Sequence, residues 1–207
     1  MIIGIDFDGV LTDLSGFFYE EGEKYAAKNN IKIVRNEDAH STLDYFGWTI
    51  EDDIDFWETN NLKYTKFVSS KPGAEEILKR FHDEGHKIII VTARYECDLD
   101  TEKGKAKREI SEGWLKEHGI VYDKIFYVGS KSKVKTILKN KIDIFIDDSV
   151  KNLAEISKVI PVICFHEKYN RNYHNPNMIR LASWNEIYDY INKISDRDKD
   201  VEDIENG

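Results

Sequence analysis

The sequence predicts an α/β protein: a three-layer, Rossmann-like, mostly parallel sheet with a small helical cap inserted after the first strand. Short apolar runs alternate with helical patterns along most of the 207 residues. Acidic, hydroxyl and lysine side chains follow several of these runs. About sixty residues after the first run carry no strong strand pattern, which is too long for an ordinary strand-to-helix connection.

Five apolar runs are predicted to form buried strands, because each is short, rich in Ile and Val, and bounded by polar or turn residues. In chain order they are MIIGIDF (1–7), KIIIVTAR (87–94), KIFYVG (124–129), KIDIFIDD (141–148) and IPVICF (160–165). Strands that alternate with helices pair in parallel through right-handed crossovers. Their carboxyl ends are therefore expected along one edge of the sheet, where ligands bind.

Four helices of the predicted core are indicated by apolar residues spaced three or four apart. The first of them follows the helix-start signal Pro72-Gly73. The apolar stripes are Ala74, Ile77, Leu78 and Phe81; Ala106, Ile110 and Trp114, with Leu115 beside them; Val134, Ile137 and Leu138; and Trp184, Ile187, Tyr188 and Ile191.

The domain organisation follows from these patterns. Residues 1–13 and 72–194 are expected to form the core domain, and residues 14–71 a helical cap, with one helix around 15–29 followed by an aromatic-rich region. The last segment, 195–207, has six acids against two bases and almost no apolar content. It is therefore expected to be an acidic, disordered tail.

Composition and charge exclude several classes of protein. Hydrophobic residues make up 41% and charged residues 33% of the chain, which suits one domain with an insertion. The net charge of −9 argues against a stable nucleic-acid partner, and no apolar run approaches the roughly 18 residues that span a membrane. No signal-peptide pattern is visible, and Cys97 and Cys164 lack metal or redox spacing, which favours a reduced, cytoplasmic protein. An oligomer is compatible with the sequence.

Chemically active side chains follow four of the predicted strands. In chain order they are Asp6 and Asp8, Thr92, the lysine-rich segment GSKSKVK (129–135), and Asp147-Asp148. Each has an ordinary explanation when taken alone; Asp148 or Ser149, for example, could cap the following helix. Together, at one edge of a parallel sheet, they indicate a ligand site.

With these motifs the chain resembles the haloacid-dehalogenase-like phosphohydrolases, whose four motifs are matched by DFDGV (6–10), Thr92, Lys133 and Asp147-Asp148. The resemblance covers roughly residues 1–13 and 72–194, and the insertion lies where many members carry a cap. The segments DFDGVLTD, VTAR, IDDS, YNR (169–171) and WNEI (184–187) are most similar to the 5′(3′)-deoxyribonucleotidase-like group.

The resemblance implies a phosphatase mechanism that suits the chemistry of these residues. Asp6 would be the nucleophile and form an aspartyl-phosphate, while Asp8 would act as general acid and base. Asp6, the backbone carbonyl of Asp8 and Asp147 would hold Mg²⁺. Asp148 would be a further metal ligand, orient Lys133 or the water shell of the metal, or cap a helix. Because a dehalogenase has no alkoxide to protonate, Asp8 favours phosphate-ester chemistry.

The second motif implies contacts with the phosphate and the substrate. The Thr92 hydroxyl and nearby backbone N–H groups, together with Ala93 and Arg94, would bind the substrate. Contact with the cap, or a surface ion pair with Glu96 or Asp98, is the alternative role for Arg94.

The third motif implies a lysine that neutralises the phosphoryl oxygens. Lys131, Lys133 and Lys135 all lie near the start of one predicted helix. The spacing from Lys133 to Asp147 agrees best with the similar group, so Lys133 is the predicted phosphate contact.

Aromatic residues of the predicted cap are candidates to stack on a nucleobase. They are Phe46, Trp48, Phe56 and Trp57, of which Phe46 and Trp48 are assigned to the substrate. The alternative is that they form the hydrophobic core of the cap. The segment EDDIDFWE (51–58) holds five acids and would repel a polyanion. Arg171 of the YNR segment could also face the site.

Taken together, the residues and the resemblance predict a cytoplasmic, Mg²⁺-dependent phosphomonoesterase whose substrate is a small phosphorylated molecule, a nucleotide in the leading hypothesis. A sugar phosphate and a polynucleotide 3′-phosphate are the alternative substrates. The third hypothesis is a binding protein without catalytic activity on the same fold; the intact Asp6, Asp8, Thr92, Lys133 and Asp147 argue against it.

Overall fold

The structure is a computed structural model that describes the backbone of residues 1–205 and the side chains of residues 1–196. The strands are β1 (Ile2–Ile5), β2 (Lys87–Thr92), β3 (Lys124–Tyr127), β4 (Ile144–Asp147), β5 (Val162–Phe165) and β6 (Met178–Leu181). The helices are α1 (Leu14–Asn29), α2 (Thr42–Phe46), α3 (Ile50–Phe67), α4 (Ala74–Asp83), α5 (Glu102–Glu117), α6 (Val134–Lys139), α7 (Val150–Ile156) and α8 (Trp184–Glu205), with a short 3₁₀ helix at Lys168–Asn170.

All six strands pair in parallel in one sheet, in the order β3-β2-β1-β4-β5-β6. The first strand in the chain is therefore at the centre of the sheet, where Ile5 lies between Ile90 of β2 and Ile146 of β4. The predicted Rossmann-like α/β fold is confirmed, and so are the five strands expected from apolar runs.

The sheet is covered on both faces because successive residues of a strand point to opposite sides. On one face, Ile88 and Ile90 pack in the same cluster as residues of α4, α5 and α8. On the other face, Ile89 and Val91 pack with residues of α6 and α7. The result is the three-layer arrangement expected from alternating strands and helices.

Three details differ from the sequence prediction. The edge strand β6 was not predicted, because its four residues are all half-buried and form no compact apolar run. Ala106 is exposed, since α5 buries the face that contains Ser111 and Trp114. Leu138 is also exposed, because it lies in the last turn of the six-residue helix α6, whose buried residue is Ile137.

Residues 14–71, the insertion, contain α1, α2 and α3 between β1 and α4. The predicted helix around 15–29 is confirmed as α1. The insertion has its own hydrophobic cluster, formed by Phe18, Tyr25, Ala26, Ala39, Tyr45, Phe46, Trp48 and Phe56. The chain leaves and re-enters the core at one place, where Thr12 and Ser70 form an antiparallel bridge. The domain boundaries and the role of the insertion as a cap stay predictions.

The C-terminal segment begins within α8, which continues to Glu205. The side chains after Asp196 and the last two residues lie outside the described part of the chain, so the acidic tail predicted at 195–207 stays a prediction. Among the described residues, no helix combines the length and the hydrophobicity of a membrane-spanning segment.

Candidate active site

The carboxyl edge of the sheet carries the acids of the first and fourth motifs. Asp6 follows β1, and its backbone N–H donates to the carbonyl of Ile146 in β4 at 2.9 Å. Asp147 ends β4 and Asp148 follows it. The turn after β1 passes so close to these acids that a Cβ on Gly9, whose φ is +81°, would lie 2.2 Å from Asp148 Oδ2. Only glycine combines this left-handed conformation with such a close approach.

Lys133 joins two of the acids. Its Nζ lies 2.8 Å from Asp6 Oδ2 and 2.8 Å from Asp147 Oδ2, and the residue is only 3% exposed. Lys131 and Lys135 are exposed to solvent. Of the three lysines considered from the sequence, Lys133 is therefore the one that the fold brings to the carboxylates.

Asp147 is held by donors on three sides. Besides Lys133, the backbone N–H of Ser149 donates to it at 2.9 Å, and Asn152 Nδ2 donates to both of its oxygens at 3.1 and 3.2 Å. The sequence suggested Asp148 as the acid that orients Lys133, but the structure gives this contact to Asp147. Ser149 precedes α7 and makes no side-chain capping hydrogen bond in the described structure.

Asp148 is held by residues that follow β5. Tyr169 donates its hydroxyl hydrogen to Asp148 Oδ2, and Asn170 Nδ2 donates to the backbone carbonyls of Asp148 and Phe165 at 2.9 and 2.8 Å. Arg180 Nη1 in turn donates to Asn170 Oδ1 at 2.5 Å. The YNR segment therefore fixes the second acid of the fourth motif through buried side chains.

Burial and crowding of negative charge shift the pKa values of this cluster. Burial raises the pKa of Asp6 to about 7, against the opposing charge of Lys133 and with the help of Asp147. Burial, followed by the charges of Asp147 and Asp6, raises the pKa of Asp148 well above its usual range. Burial lowers the pKa of Lys133, but the two carboxylates outweigh it and raise that pKa overall. One lysine thus shares a buried site with three acids, an arrangement that favours a further cation.

The second motif lies at the end of β2. Thr92 is buried, and its hydroxyl oxygen accepts a hydrogen bond from the backbone N–H of Arg94 at 3.2 Å, while Ala93 between them is exposed. Arg94 is 6% exposed; its Nη2 lies 3.1 Å from Asp8 Oδ1 and its Nη1 donates to Ser111 Oγ at 3.1 Å. The alternative of a surface ion pair with the acids of the next turn is therefore wrong.

Asp8 points toward the insertion. The hydroxyl of Tyr64, on α3, donates to Asp8 Oδ1 at 2.5 Å, and Thr12 Oγ1 lies 2.9 Å from the same hydroxyl. The side chain of Asp8 is 25% exposed. It is thus the most accessible of the four motif acids.

A cavity of about 660 Å³ adjoins Asp8. It lies between α3, the segment after β2 and α5, and its lining includes Trp57, Asn61, Tyr64, Tyr95, Lys103 and Lys107. The two lysines are already engaged, Lys103 with Glu96 at 2.6 Å and Lys107 with Asn61 Oδ1 at 2.5 Å. The cavity combines aromatic walls with polar groups next to the acid of the first motif.

The aromatic candidates divide into two groups. Phe46, Trp48 and Phe56 are buried in the cluster of the insertion, where the rings of Phe46 and Trp48 stack at 4.4 Å between centroids. The substrate contacts predicted for Phe46 and Trp48 are therefore not supported, because three inserted helices need these rings as their core. Trp57 does line the cavity. Arg171 is half-exposed and pairs with Asp38 of the insertion at 2.8 Å.

Several contacts of the site were not predicted from the sequence. Tyr64 carries no motif signal, and Ser111 and Asn152 lie on helices without a catalytic pattern. Tyr169 belongs to the YNR segment, so a signal was present, but it did not reveal the contact with Asp148. All four reach the site only through tertiary packing.

A parallel sheet whose central strand ends in a buried, lysine-paired carboxylate is the architecture of the haloacid-dehalogenase-like phosphohydrolases, and this chain is a phosphatase of that class. A haloacid dehalogenase-like hydrolase of Streptococcus pneumoniae has the same fold, with a TM-score of 0.61 at 13% identity over 92% of this chain and 97% of that one.

Within this class, the model of the family described as "5′ nucleotidase, deoxy (Pyrimidine), cytosolic type C protein" matches residues 1–197, and the chain belongs to this family. It is similar to a protein of Chlorobaculum tepidum named "Putative 5′(3′)-deoxyribonucleotidase", with 28% identity over 92% of this chain and 90% of that protein. It is also similar to a protein of Clostridium acetobutylicum named as a nucleotidase, with 25% identity over 96% and 97% of the two chains.

Proposed function

We propose that this chain is a Mg²⁺-dependent phosphomonoesterase that works through an aspartyl-phosphate and acts on nucleotides. The observation that carries the proposal is the environment of Asp6, whose carboxylate follows the central strand and pairs with Lys133 at 2.8 Å. Asp8, two residues later, adjoins a cavity large enough for a leaving group. A fixed carboxylate beside a cation and an acid is what phosphoryl transfer to a protein requires.

The donor set fits a hard divalent cation. Asp6, Asp147 and Asp148 each offer a carboxylate oxygen, and these oxygens lie within 4.8 Å of one another. Oxygen ligands of this kind suit Mg²⁺. Asp6, Asp147 and Asp148, with the backbone carbonyl of Asp8, are the proposed ligands. Asp147 also accepts from Lys133, Ser149 and Asn152, which fix its orientation. When bound, the ion supplies positive charge that reduces the repulsion between carboxylate and phosphate.

Two displacements at phosphorus complete the proposed reaction. The Asp6 carboxylate attacks phosphorus and the ester P–O bond breaks; its electron pair stays on the leaving oxygen, which takes the proton of the Asp8 carboxyl group. Water then attacks the phosphorus of the aspartyl-phosphate and gives a proton back to Asp8. The bond to Asp6 breaks, so that the carboxylate is restored and inorganic phosphate is released. Lys133 neutralises the phosphoryl oxygens and the Thr92 hydroxyl donates to them.

A nucleoside is the leaving group that suits the cavity best. Its volume of about 660 Å³ lies within the usual range for small-molecule sites. Trp57 and the largely exposed Tyr95 provide aromatic surface, while Asn61 and Lys107 provide polar groups. The nucleotidase names of the family and of the similar proteins support the same substrate class.

Hydrolysis of a panel of phosphomonoesters tests this proposal. The panel contains 5′- and 3′-nucleoside monophosphates, sugar phosphates and an aryl phosphate, each with MgCl₂ and with EDTA. We expect nucleotides to have the highest kcat/KM, and EDTA to abolish turnover. If kcat/KM were higher for sugar phosphates than for nucleotides by about tenfold or more, the alternative of a sugar phosphatase would replace the nucleotidase proposal.

The covalent intermediate is tested separately. After acid quenching, protein incubated with ³²P-labelled substrate should retain label in the wild type but not in Asp6→Asn, a nearly isosteric variant. Equal hydrolysis by the wild type and Asp6→Asn would contradict the assignment of the nucleophile and favour a protein that only binds phosphate.

The proposal also includes a cytoplasmic location. Cys97 and Cys164 are both buried and not joined in a disulfide, as is usual in reducing compartments. Cell fractionation with an antibody against the chain is the direct test, and recovery in a membrane or secreted fraction would contradict this part of the proposal.

A further inference from the structure

We propose that Tyr64 and Arg94 are positioning residues that hold Asp8 with its Oδ2 toward the leaving oxygen, and that Tyr64 makes this orientation depend on contact between the insertion and the core. The inference rests on the proposed role of Asp8 as general acid and base. It concerns two side chains outside the nucleophile and the metal ligands, both of which line the cavity with Asp8.

A hydrogen bond and an ion pair meet at the same oxygen of Asp8. The Tyr64 hydroxyl donates to Oδ1 at 2.5 Å, and Arg94 Nη2 lies 3.1 Å from that atom. A carboxyl group is planar, so fixing Oδ1 also fixes the direction of Oδ2. With Oδ1 engaged twice, Oδ2 is the oxygen left to carry a proton to and from the reacting groups.

Tyr64 is itself held in place by a chain of hydrogen bonds. Because its hydrogen is donated to Asp8, the Thr12 hydroxyl must donate to the Tyr64 oxygen across their 2.9 Å contact. Thr12 Oγ1 in turn accepts the backbone N–H of Gly9 at 3.2 Å. Consecutive bonds of this kind polarise one another and stiffen the arrangement. The chain of donors thus begins and ends in the loop that carries Asp8.

Arg94 is fixed by stacking and by a second partner. Its guanidinium lies over the Phe7 ring at 4.0 Å from the centroid, and Nη1 donates to Ser111 Oγ at 3.1 Å. Within the described residues, Asp8 is the carboxylate paired with Arg94. A buried guanidinium with one anionic partner fixes the orientation of that partner.

The two donors come from different parts of the molecule. Arg94 follows β2 in the core, whereas Tyr64 lies on α3 in the insertion. The last turn of α3 is joined to the core by the Trp114 indole, whose Nε1 donates to the carbonyl of Val68 at 2.8 Å, and Lys107 bridges to Asn61. Asp8 has both of these contacts only when α3 lies against the core, so the orientation of the proposed acid depends on this packing.

The test is the dependence of the first chemical step on the leaving group. Stopped-flow measurement of the burst of phenolate release, for aryl phosphates of graded leaving-group pKa and with MgCl₂, isolates formation of the aspartyl-phosphate. A correctly oriented acid makes this step insensitive to the leaving group. In Tyr64→Phe and Arg94→Lys we expect the burst rate for poor leaving groups to fall by about 10–100-fold more than the burst rate for 4-nitrophenyl phosphate.

Tyr25→Phe is the matched control, because it removes a tyrosine hydroxyl of the insertion that donates to Asp55 at 2.8 Å, away from Asp8. It should show the wild-type dependence. Asp8→Asn distinguishes failure of the proposed acid–base role of Asp8 from failure of the positioning role of Tyr64 and Arg94. If Asp8→Asn keeps the wild-type dependence, the proposed acid–base role fails. If only Asp8→Asn becomes sensitive to the leaving group while Tyr64→Phe and Arg94→Lys do not, the positioning role is wrong. Should one of the two variants fail to fold, the other decides.

Discussion

Asp6 is subject to two opposing requirements. A nucleophile must be ionised, whereas burial raises its pKa to about 7. Lys133 at 2.8 Å compensates in part, but the same lysine also serves Asp147. A bound divalent cation would supply the remaining positive charge and favour the ionised form. The carboxylate is therefore reactive only when its cationic neighbours are present.

This balance predicts a pH-dependent stabilisation by metal. Without metal, the contribution of Asp6 to stability is present below its unfolded pKa of about 4 and is lost as the pH rises through about 7. At about pH 5.5 the folded protein still holds a proton on Asp6 that must leave before a cation binds, and each pH unit below 7 lowers the apparent affinity by up to about tenfold.

We therefore expect MgCl₂ to raise the melting temperature, relative to EDTA, more at about pH 8 than at about pH 5.5. Differential scanning fluorimetry at both pH values measures the difference. Asp6→Asn removes the part of this difference that is due to Asp6, so the difference should become smaller, while the raised pKa of Asp148 leaves a remainder. An equal shift of the wild type at both pH values would contradict the prediction.

Tyr169 is expected to affect the affinity of the site for metal. Its hydroxyl donates to Asp148, a proposed metal ligand. Tyr169→Phe keeps the ring but frees this carboxylate, so we expect Mn²⁺ affinity to fall by about tenfold or more. Electron paramagnetic resonance of free Mn²⁺ measures this without substrate. Tyr173→Phe is the control, because among the described residues the Tyr173 hydroxyl bonds to Asn175 and not to a motif acid. Equal affinities in both variants would count against the role of Tyr169.

Which residues of the site could be predicted depended on where they lie in the chain. Asp6, Thr92 and Asp147 lie at the carboxyl ends of apolar strands, so the rule that ligands bind at this edge located them. Tyr64 and Tyr169 reach the site from a distant helix and loop; Tyr64 carries no motif signal, and the YNR segment does not reveal the contact of Tyr169 with Asp148. Phe46 and Trp48 were misassigned because an aromatic ring serves equally well to pack a small core or to stack on a base.

Two glycines within helices, Gly22 and Gly113, differ in the space around them. Alanine is the better helix former by about 1 kcal/mol, but the surroundings differ. On α1, a Cβ at Gly22 would lie 2.3 Å from the fully buried Phe46 ring, whereas on α5 a Cβ at Gly113 would meet nothing within 4 Å. We expect Gly113→Ala to raise the free energy of unfolding by about 0.5–1 kcal/mol, and Gly22→Ala to lower it by about 1–3 kcal/mol.

Urea denaturation, followed by tryptophan fluorescence, measures both variants. Each serves as the control for the other, because the chemical change is identical. Stabilisation by Gly22→Ala would mean that the hydrophobic cluster of the insertion is loosely packed, contrary to the close contact of α1 with Phe46.

Among the elements, prediction succeeded where burial imposes a pattern. The central strands are buried on both faces, so their apolar runs are continuous and easily recognised. Among the described strands, the edge strand β6 pairs with β5 alone, and its four half-buried residues give no such run. In the insertion, α3 has exposed apolar side chains such as Ile50 and Ile54 and a weak apolar face, so its bounds could not be read from periodicity.

The negative charge of the molecule is expected to disfavour polyanionic substrates. The net charge is −9, and Asp53 and Glu58 of the acidic segment line the cavity. A mononucleotide 3′-phosphate brings one phosphate to the site, whereas an oligonucleotide 3′-phosphate brings a polyanion along this surface. We expect kcat/KM for the oligonucleotide to be lower by about tenfold or more at low salt.

Added salt should narrow this difference, since screening weakens repulsion between exposed charges. Phosphate release from the two substrates, measured across a series of KCl concentrations, tests both statements. An oligonucleotide hydrolysed as efficiently as the mononucleotide at low salt would support the alternative of a polynucleotide 3′-phosphatase.

The central position of β1 has a consequence for synthesis on the ribosome. Ile3 pairs with Ile88 on one side and with Ile144 on the other, so the strand that carries the nucleophile is translated long before its second partner. At usual elongation rates this interval is on the order of ten seconds. During this interval the nascent chain exposes an apolar strand with one unpaired edge. Chaperones act on such segments. The catalytic centre can therefore form only after β4 has been made, long after the strand that carries its nucleophile.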